Sequence, residues 1–274
     1  MALDSQNIKI NILTRTSNRP IGFKFTYLSI KEQSYSNIHH IVAYDNKEDL
    51  PYLDDLKIEL VDVTQMNMAD NYPKTDSEGN LFAPYNLYCN SLLDTVEDGW
   101  ILFLDDDDSL YHSKVIKELV DIINDDYSTD NIFIWQMRYP DGRVLPANNQ
   151  VDQRIIKKNY IGSPCYIFHS SYVNAARWDS YKASDFRFLK QLLEIIPNHI
   201  FIKKIGIQIN NFGDLGRRND IQLNGASLKL PGSFYKNLIW LLIPKYHQRV
   251  FGKLLFHKNT YKRLLGRTNS KTNN

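Results

Sequence analysis

Cysteine is nearly absent from this chain of 274 residues. Cys89 and Cys165 are the only two, far apart and without metal-ligand spacing, which excludes a disulfide framework and fits a reducing compartment. Long apolar runs are missing too: LIWLLI, at 238–243, is too short to span a bilayer. The first residues, MALDSQNIKIN, have neither the basic start nor the apolar stretch of a signal peptide. The expectation is a soluble or membrane-surface protein of the cytoplasm. No glycine-rich phosphate loop of the P-loop or dinucleotide type is present, so ATP hydrolysis and adenine dinucleotides are not expected. No internal repeat is visible, and low complexity is confined to the polar tail RTNSKTNN.

Acidic residues are missing from one long stretch. After Asp220 there is no Asp or Glu, but there are ten Lys and Arg, so the last 54 residues carry about +10. The other 23 cations meet 31 carboxylates, leaving the first 220 residues at about −8. Residues 232–267 interleave these cations with apolar and aromatic side chains. Pro244 divides the stretch, and from Tyr246 onward Val250, Phe251, Leu254 and Leu255 recur at helical spacing opposite Gln248, Arg249 and Lys253. Such a surface suits an anionic headgroup layer, where each Lys or Arg contributes ~1 kcal/mol. Packing on the acidic remainder is the plain alternative, and with no recognisable nucleic-acid motif, nucleic acid is not an expected partner.

What is present is enough for a sizeable core, with 43% hydrophobic residues. Strands are expected at 8–13, 38–44, 57–63, 100–104, 132–138 and 165–169, with another ending near Ile209. Helices are expected after Arg19-Pro20 as far as Gln33, and at about 84–97, 113–124 and 186–196. Strands alternating with helices argue an α/β domain on a mostly parallel sheet. Two polar connections stand out, DNYPKTDSEGN at 70–80 and INNFGDLGRRNDIQLNGAS at 209–227. The glycines of the second suit a lid.

The chemistry concentrates in WILFLDDDDSL, where a strand runs straight into four carboxylates. Asp105 to Asp108 cannot all ionise side by side unless something positive sits among them. In open α/β sheets ligands bind at the carboxyl ends of strands, and an Asp-x-Asp there suits a hard divalent cation such as Mn²⁺ or Mg²⁺. The bland alternative is solvated acids, with Asp108 or Ser109 opening a turn. A helix-loop-helix calcium site fails, because its required Gly and Glu positions hold Leu110 and Ile116. A haloacid-dehalogenase-type phosphatase also begins with an apolar strand and Asp-x-Asp, but the later acids, Asp214 and Asp220, are unsuitably spaced. His39, His40 and His112 pair with no second ligand and are read as structural or solvated. Trp135 and Trp178 are core or groove residues, with stacking on a sugar as the alternative.

Five landmarks in order carry a resemblance over about residues 8–200: INILTRTSNRP, YLSIKEQSYSNIHHIVAYDN, Asn90, FLDDDD and ASDFRFLKQL. With these the chain resembles the family-two glycosyltransferases, which have the Rossmann-like A-type fold. The resemblance implies one nucleotide-sugar-binding and catalytic domain, taken as residues 1–228, and the charge pattern sets off 229–274 as a basic amphipathic helical extension. It places Thr14 and Arg15 beside the base and Asp45 on the nucleobase or ribose. Asn90, Asp105 and Asp106 join the nucleotide-binding set, and Asp107, with Asp105, holds Mn²⁺ or Mg²⁺. Asp185 becomes the general base, while Ser184 or Asp185 is a good N-cap for the helix that follows. The family's usual Glu-Asp pair is here Ser184-Asp185. The usual polar group after the last strand is replaced by INNFGDLGRR, where Asn210, Asn211 or Asp214 could complete a metal site and Arg217 or Arg218 could clamp a diphosphate. The implied activity is inverting transfer of a hexose from a UDP-sugar to a glycan acceptor, lipid-linked if the tail docks on an anionic membrane. A composition rich in Asn, Lys and Ile fits bacterial surface polysaccharide synthesis. The alternatives are the phosphatase and a nucleotide-sugar-binding module without turnover.

Overall fold

The computed structural model describes residues 7–66, 73–139 and 142–210. Most of the second polar loop, with Asn211, Asp214, Arg217 and Arg218, and the whole basic extension lie outside the described residues. So does part of the first connection.

In chain order the elements are β1 (Ile10–Thr16), α1 (Pro20–Lys31), β2 (Ile38–Tyr44), α2 (Leu50–Leu53), β3 (Glu59–Asp62), α3 (Tyr88–Asp94), β4 (Trp100–Phe103) and β5 (Asp108–Leu110). Then come α4 (Val115–Asp125), β6 (Asn131–Arg138), β7 (Val144–Leu145), α5 (Asn148–Asp152), β8 (Tyr166–His169), α6 (Ser184–Ile195) and β9 (Asn198–Ile209). The described strands form one sheet in the order β3-β2-β1-β4-β8-β6-β9-β5, with β7 paired to β6. The pairings β3-β2, β2-β1, β1-β4 and β6-β9 are parallel, while β8, β5 and β7 run against their neighbours. This is the expected α/β architecture on a mostly parallel sheet.

The central strands read as they pack. Every residue of β4 is buried, and Ile41 to Tyr44 of β2 are buried as well, as strands covered on both faces must be. In α4, Val115, Ile116, Leu119, Val120 and Ile123 form one apolar stripe that is wholly buried. In α6, Phe188, Leu189 and Leu192 do the same, with Phe188 stacked on Trp178 at 5.4 Å. Burial of each such large side chain contributes about 1.5–3 kcal/mol. The edge strand β3 is shorter than expected and mostly exposed, and its Glu59 and Asp62 discourage further pairing.

The sheet order reverses at β1. After β1 the chain adds β2 and β3 on one side, and β4 then returns to pair on the other. The carboxyl ends of β1 and β4 therefore open into one crevice, the place where this class of sheet binds ligands. One element there departs from expectation. Asp108–Leu110 is a strand, not the start of a turn, because it pairs antiparallel with the end of β9, Asp108 opposite Ile209 and Leu110 opposite Ile207.

Candidate active site

Two arginines leave β1 toward the carboxylates that leave β4. Arg15 Nη2 lies 3.9 Å from Asp105 Oδ1. Arg19 Nη1 bonds Asp107 Oδ2 and lies 3.5 Å from Asp106 Oδ1. The positive charge that four adjacent acids require is thus supplied by the chain itself. Burial pushes the Asp106 carboxyl up, against the pull of Arg19, and the neighbouring acids add to the rise. Burial also raises Asp108 well above the ordinary carboxylate range, aided by Asp107 and Asp105 and opposed by the Asn210 N–H, which donates to Asp108 Oδ1 at 3.1 Å. Asp105 is the most open, its side chain 39% exposed.

Helix α1 fixes the shape of this acidic segment through a seam of small and polar residues. At Gly22 an added Cβ would lie 2.9 Å from the Asp106 carbonyl oxygen and 3.4 Å from Asp107 Cβ, so the helix touches the loop at its bare backbone. Thr26 Oγ1 donates to the Asp108 carbonyl at 2.6 Å, and Ser29 Oγ accepts from Leu110 N–H at 3.1 Å. Gln33 donates to the His112 carbonyl at 2.9 Å and accepts from Ile116 N–H at 3.1 Å. The backbone from Asp105 to Ile116 is therefore held along one face of α1 and by Gln33 just past its end, and the Asp-x-Asp is pre-organised.

Asp185 stands at the second position of α6, near the positive end of the helix dipole. Burial raises its carboxyl, as does the charge of Asp105, while Arg15 and Arg187 oppose the rise. Asp185 thus shares an electrostatic environment with the Asp-x-Asp and with Arg15. The N-cap expected at Ser184 or Asp185 is instead Ala183, in the left-handed region at φ 62°, without a side-chain bond to the helix. The Ser184 hydroxyl accepts from Asp179 N–H at 2.8 Å. Asp179 in turn pairs with Arg187, at 2.7 Å through Nη2.

Other expected residues are placed plainly. Asp45 follows β2; its Oδ1 is buried without a partner, while the Tyr88 hydroxyl donates to the same carboxylate. Arg15 extends across the crevice, bonded to Asn86 Oδ1 at 2.7 Å and lying 4.8 Å over the Tyr85 ring. Three residues expected at the nucleotide are bonded within the protein. Thr14 is fully buried and meets His40 Nε2 at 3.0 Å, because alternation along β1 turns it under α1 and sends Arg15 to the other face. Asn90 is committed at both ends to the backbone of Trp178, donating to its carbonyl and accepting from its N–H, each at 2.9 Å. Asp106 is buried against Arg19 and a bond from Thr16. Trp135 and Trp178 are core residues, His39 pairs with Glu59 at 2.8 Å, and both cysteines are free and buried.

Arg19, Gly22, Asn86 and Tyr88 are the site residues that sequence reasoning missed. Asn86 and Asn90 lie four apart, and such spacing puts two amides on one face. Asn86 donates to the Tyr181 carbonyl at 2.7 Å, so the pair holds the segment leading into α6.

Among the described residues no three His, Cys, Asp or Glu side chains converge on a point that could cage a metal. Asp105 and Asp107 nonetheless offer hard carboxylate oxygens at a strand end, the donor set of a cation that takes one or two carboxylates and completes its shell with water and substrate phosphates. In that limited sense the residues fit Mn²⁺ or Mg²⁺. Asn210, one candidate for a further ligand, donates its side chain to Ser109 Oγ at 2.9 Å.

No family model matches the chain, and no curated protein matches it. Among solved structures, S. aureus TarS aligns with a TM-score of 0.54 at 16% identity, over 92% of this chain and 45% of that one. TarS 1-349 in complex with UDP-GlcNAc gives 0.53 at 12% identity, over 95% and 71%. The mannosyltransferase PcManGT from Pyrobaculum calidifontis, in complex with GDP-Man and Mn²⁺, gives 0.50 at 11% identity, over 77% and 59%. The chain thus spans less than half of the TarS chain first compared. At identities this low the likeness speaks for the backbone, and on that ground the chain has the A-type glycosyltransferase fold.

Proposed function

We propose that this protein is an inverting, metal-dependent glycosyltransferase that moves a hexose from a UDP-sugar to a glycan acceptor. The observation that carries the reading is that the Asp-x-Asp following β4, at the switch point of the sheet, and the buried Asp185 of α6 lie within electrostatic reach, the charge of Asp105 adding to the rise of the Asp185 carboxyl. A base with a raised pKa suits the chemistry, since proton transfer is most efficient when the pKa approaches the operating pH. Asp185 would take the proton of the acceptor hydroxyl as that oxygen attacks the anomeric carbon, the nucleoside diphosphate leaving from the opposite face. Arg15 and Arg187 oppose that rise and so favour the charged form of the base. A divalent cation held by Asp107 and Asp105 would neutralise charge developing on the departing diphosphate.

A uridine donor is the proposed class, with Asp45, just after β2, as the candidate contact to the base or ribose. The UDP-GlcNAc complex of TarS favours the same donor class, and the GDP-Man complex of PcManGT is the alternative.

The acceptor is proposed to be lipid-linked, at the cytoplasmic face of a bacterial membrane, in surface polysaccharide synthesis. The support is the acid-free basic stretch at 229–274 with its aromatic and apolar interleaving. Among the described residues no helix is long and apolar enough to cross a membrane.

The test is incubation with radiolabelled UDP- and GDP-sugars, with and without Mn²⁺. Metal-dependent release of UDP from one UDP-sugar, accelerated by acceptor glycan, is the expected result. Phosphate release indifferent to the sugar would favour a phosphatase, and binding without release would favour a module without turnover.

A further inference from the structure

The two arginines at the carboxylate run are not equivalent. Arg15 is held from behind by Asn86 and lies over the ring of Tyr85, and the acid it reaches is Asp105. Arg19 approaches from the head of α1 with its side chain 17% exposed, and it contacts Asp107 and Asp106 directly. Its guanidinium therefore sits on a carboxylate proposed above to hold a divalent cation. Two cations on one carboxylate repel each other strongly in a partly buried crevice, where screening is weak.

We propose that Arg19 is an exchangeable counter-cation, a positioning residue that holds Asp106 and Asp107 in the donor-free protein and yields Asp107 when a metal–nucleoside diphosphate arrives. Its guanidinium fork then turns onto the diphosphate, whose paired oxygens match it as the carboxylate did. This inference rests on the donor site proposed above.

Two consequences are measurable without turnover. The metal alone binds weakly, because it must displace Arg19 with no anion to receive it. Metal and UDP bind with positive coupling, because the diphosphate accepts the displaced cation.

The experiment is a titration of the full chain with Mn²⁺, followed by the paramagnetic resonance of free Mn²⁺, with and without UDP. In the wild type UDP should tighten Mn²⁺ binding by about tenfold or more. Arg19→Gln, which cannot carry the charge, should bind Mn²⁺ alone about tenfold more tightly than the wild type and lose most of the coupling to UDP. Arg19→Lys keeps a point charge without the fork, so its affinity for Mn²⁺ alone stays within a few-fold of wild type while its coupling falls. Asp107→Ala should abolish the Mn²⁺ binding that the others modulate. Thermal melts confirm folding, and if Arg19→Gln does not fold the Arg19→Lys pattern decides. Mn²⁺ affinity unchanged or weakened in Arg19→Gln, or coupling retained in either variant, overturns the exchange. If UDP binds the wild type yet neither variant changes the coupling, the exchange is wrong and the donor site stands. If the wild type binds no UDP with or without Mn²⁺, both fall.

Discussion

Gly22→Ala is the sharpest perturbation of the contact between α1 and the acidic segment. On an ordinary helix this exchange is favourable by about 1 kcal/mol, since alanine is the better helix former. Here the new methyl would lie 2.9 Å from the Asp106 carbonyl oxygen, a backbone atom that cannot swing aside like a side-chain end. Reaching an ordinary contact near 3.4 Å requires an opening of about 0.5 Å between helix and loop. Overpacking of that kind costs about 1–3 kcal/mol, so propensity is offset or outweighed and the net loss is about 0–2 kcal/mol. Activity is the more sensitive readout. A misplacement of 1 Å can cost about a hundredfold, so half of that at the Asp-x-Asp should lower kcat/KM by about tenfold. The assays are thermal denaturation and UDP-sugar turnover on the same preparations. A variant with raised Tm and unchanged kcat/KM would show that α1 does not press on the loop, and the pre-organisation argument would fail.

Asp185→Asn, nearly isosteric and still at the first turn of α6, should leave UDP binding intact and lower turnover by about 10²–10⁴-fold; unchanged kinetics would reduce Asp185 to a helix-end residue. Asp108 tests the buried acids through pH. Its carboxyl is raised in the folded protein, so its ionisation opposes folding above the unfolded pKa near 4, and that opposition vanishes below it. Asp108→Asn keeps an oxygen for the Asn210 N–H and should raise Tm at pH 7–8, with the gain shrinking toward zero below about pH 4; a gain independent of pH would refute the titration. Asn90→Ala leaves two buried backbone groups of Trp178 without partners and should cost about 2–4 kcal/mol, with kcat falling more than KM rises; a selective loss of nucleotide affinity would instead restore Asn90 to the nucleotide site. Truncation near Leu230 should abolish co-sedimentation with anionic liposomes at low salt, and equal binding by a folded truncation would remove the membrane role of the tail.

The legible parts of this protein are those whose reason is local. Strands β2, β4, β6 and β8 announce themselves by the apolar runs IVAY, WILF, IFIW and YIF because both faces are covered, and α4 shows its stripe because one face is not. The acidic run was legible as a site because four adjacent carboxylates are too costly to be incidental. The unread features depend on partners distant in sequence. Strand β5 exists because β9 returns to it about a hundred residues later. Thr14 and Arg15 are adjacent in sequence but opposite in space, and nothing local says which face of β1 will look into the crevice. Asn90 lay where a ligand contact was expected, yet an amide matches a backbone N–H and carbonyl as well as it matches a nucleotide. The seam of α1 did leave a trace: Gly22, Thr26, Ser29 and Gln33 recur at spacings of four, three and four. Small polar residues at helical spacing read as a solvated face unless a polar loop, not water, lies opposite.

Why four acids stand where two would hold a metal follows from the turn between β4 and β5. Asp108 N–H donates to the Asp105 carbonyl at 3.1 Å, and the turn so closed puts Asp106 and Asp108 inward and leaves Asp105 and Asp107 less covered. The inner pair serves the structure: Asp106 answers the side chains of Thr16 and Arg19, and Asp108 answers the N–H of Asn210, tying the turn to the end of β9. Both are held toward the protonated form by burial, so they shed part of the charge that would otherwise drive the loop apart. The outer pair keeps its place beside arginines, Asp105 near Arg15 and Asp107 on Arg19. Asp106 and Asp108 thus act as structural hydrogen-bonding groups, while Asp105 and Asp107 each stand beside an arginine. The Asp-x-Asp spacing belongs to the turn that joins β4 to β5.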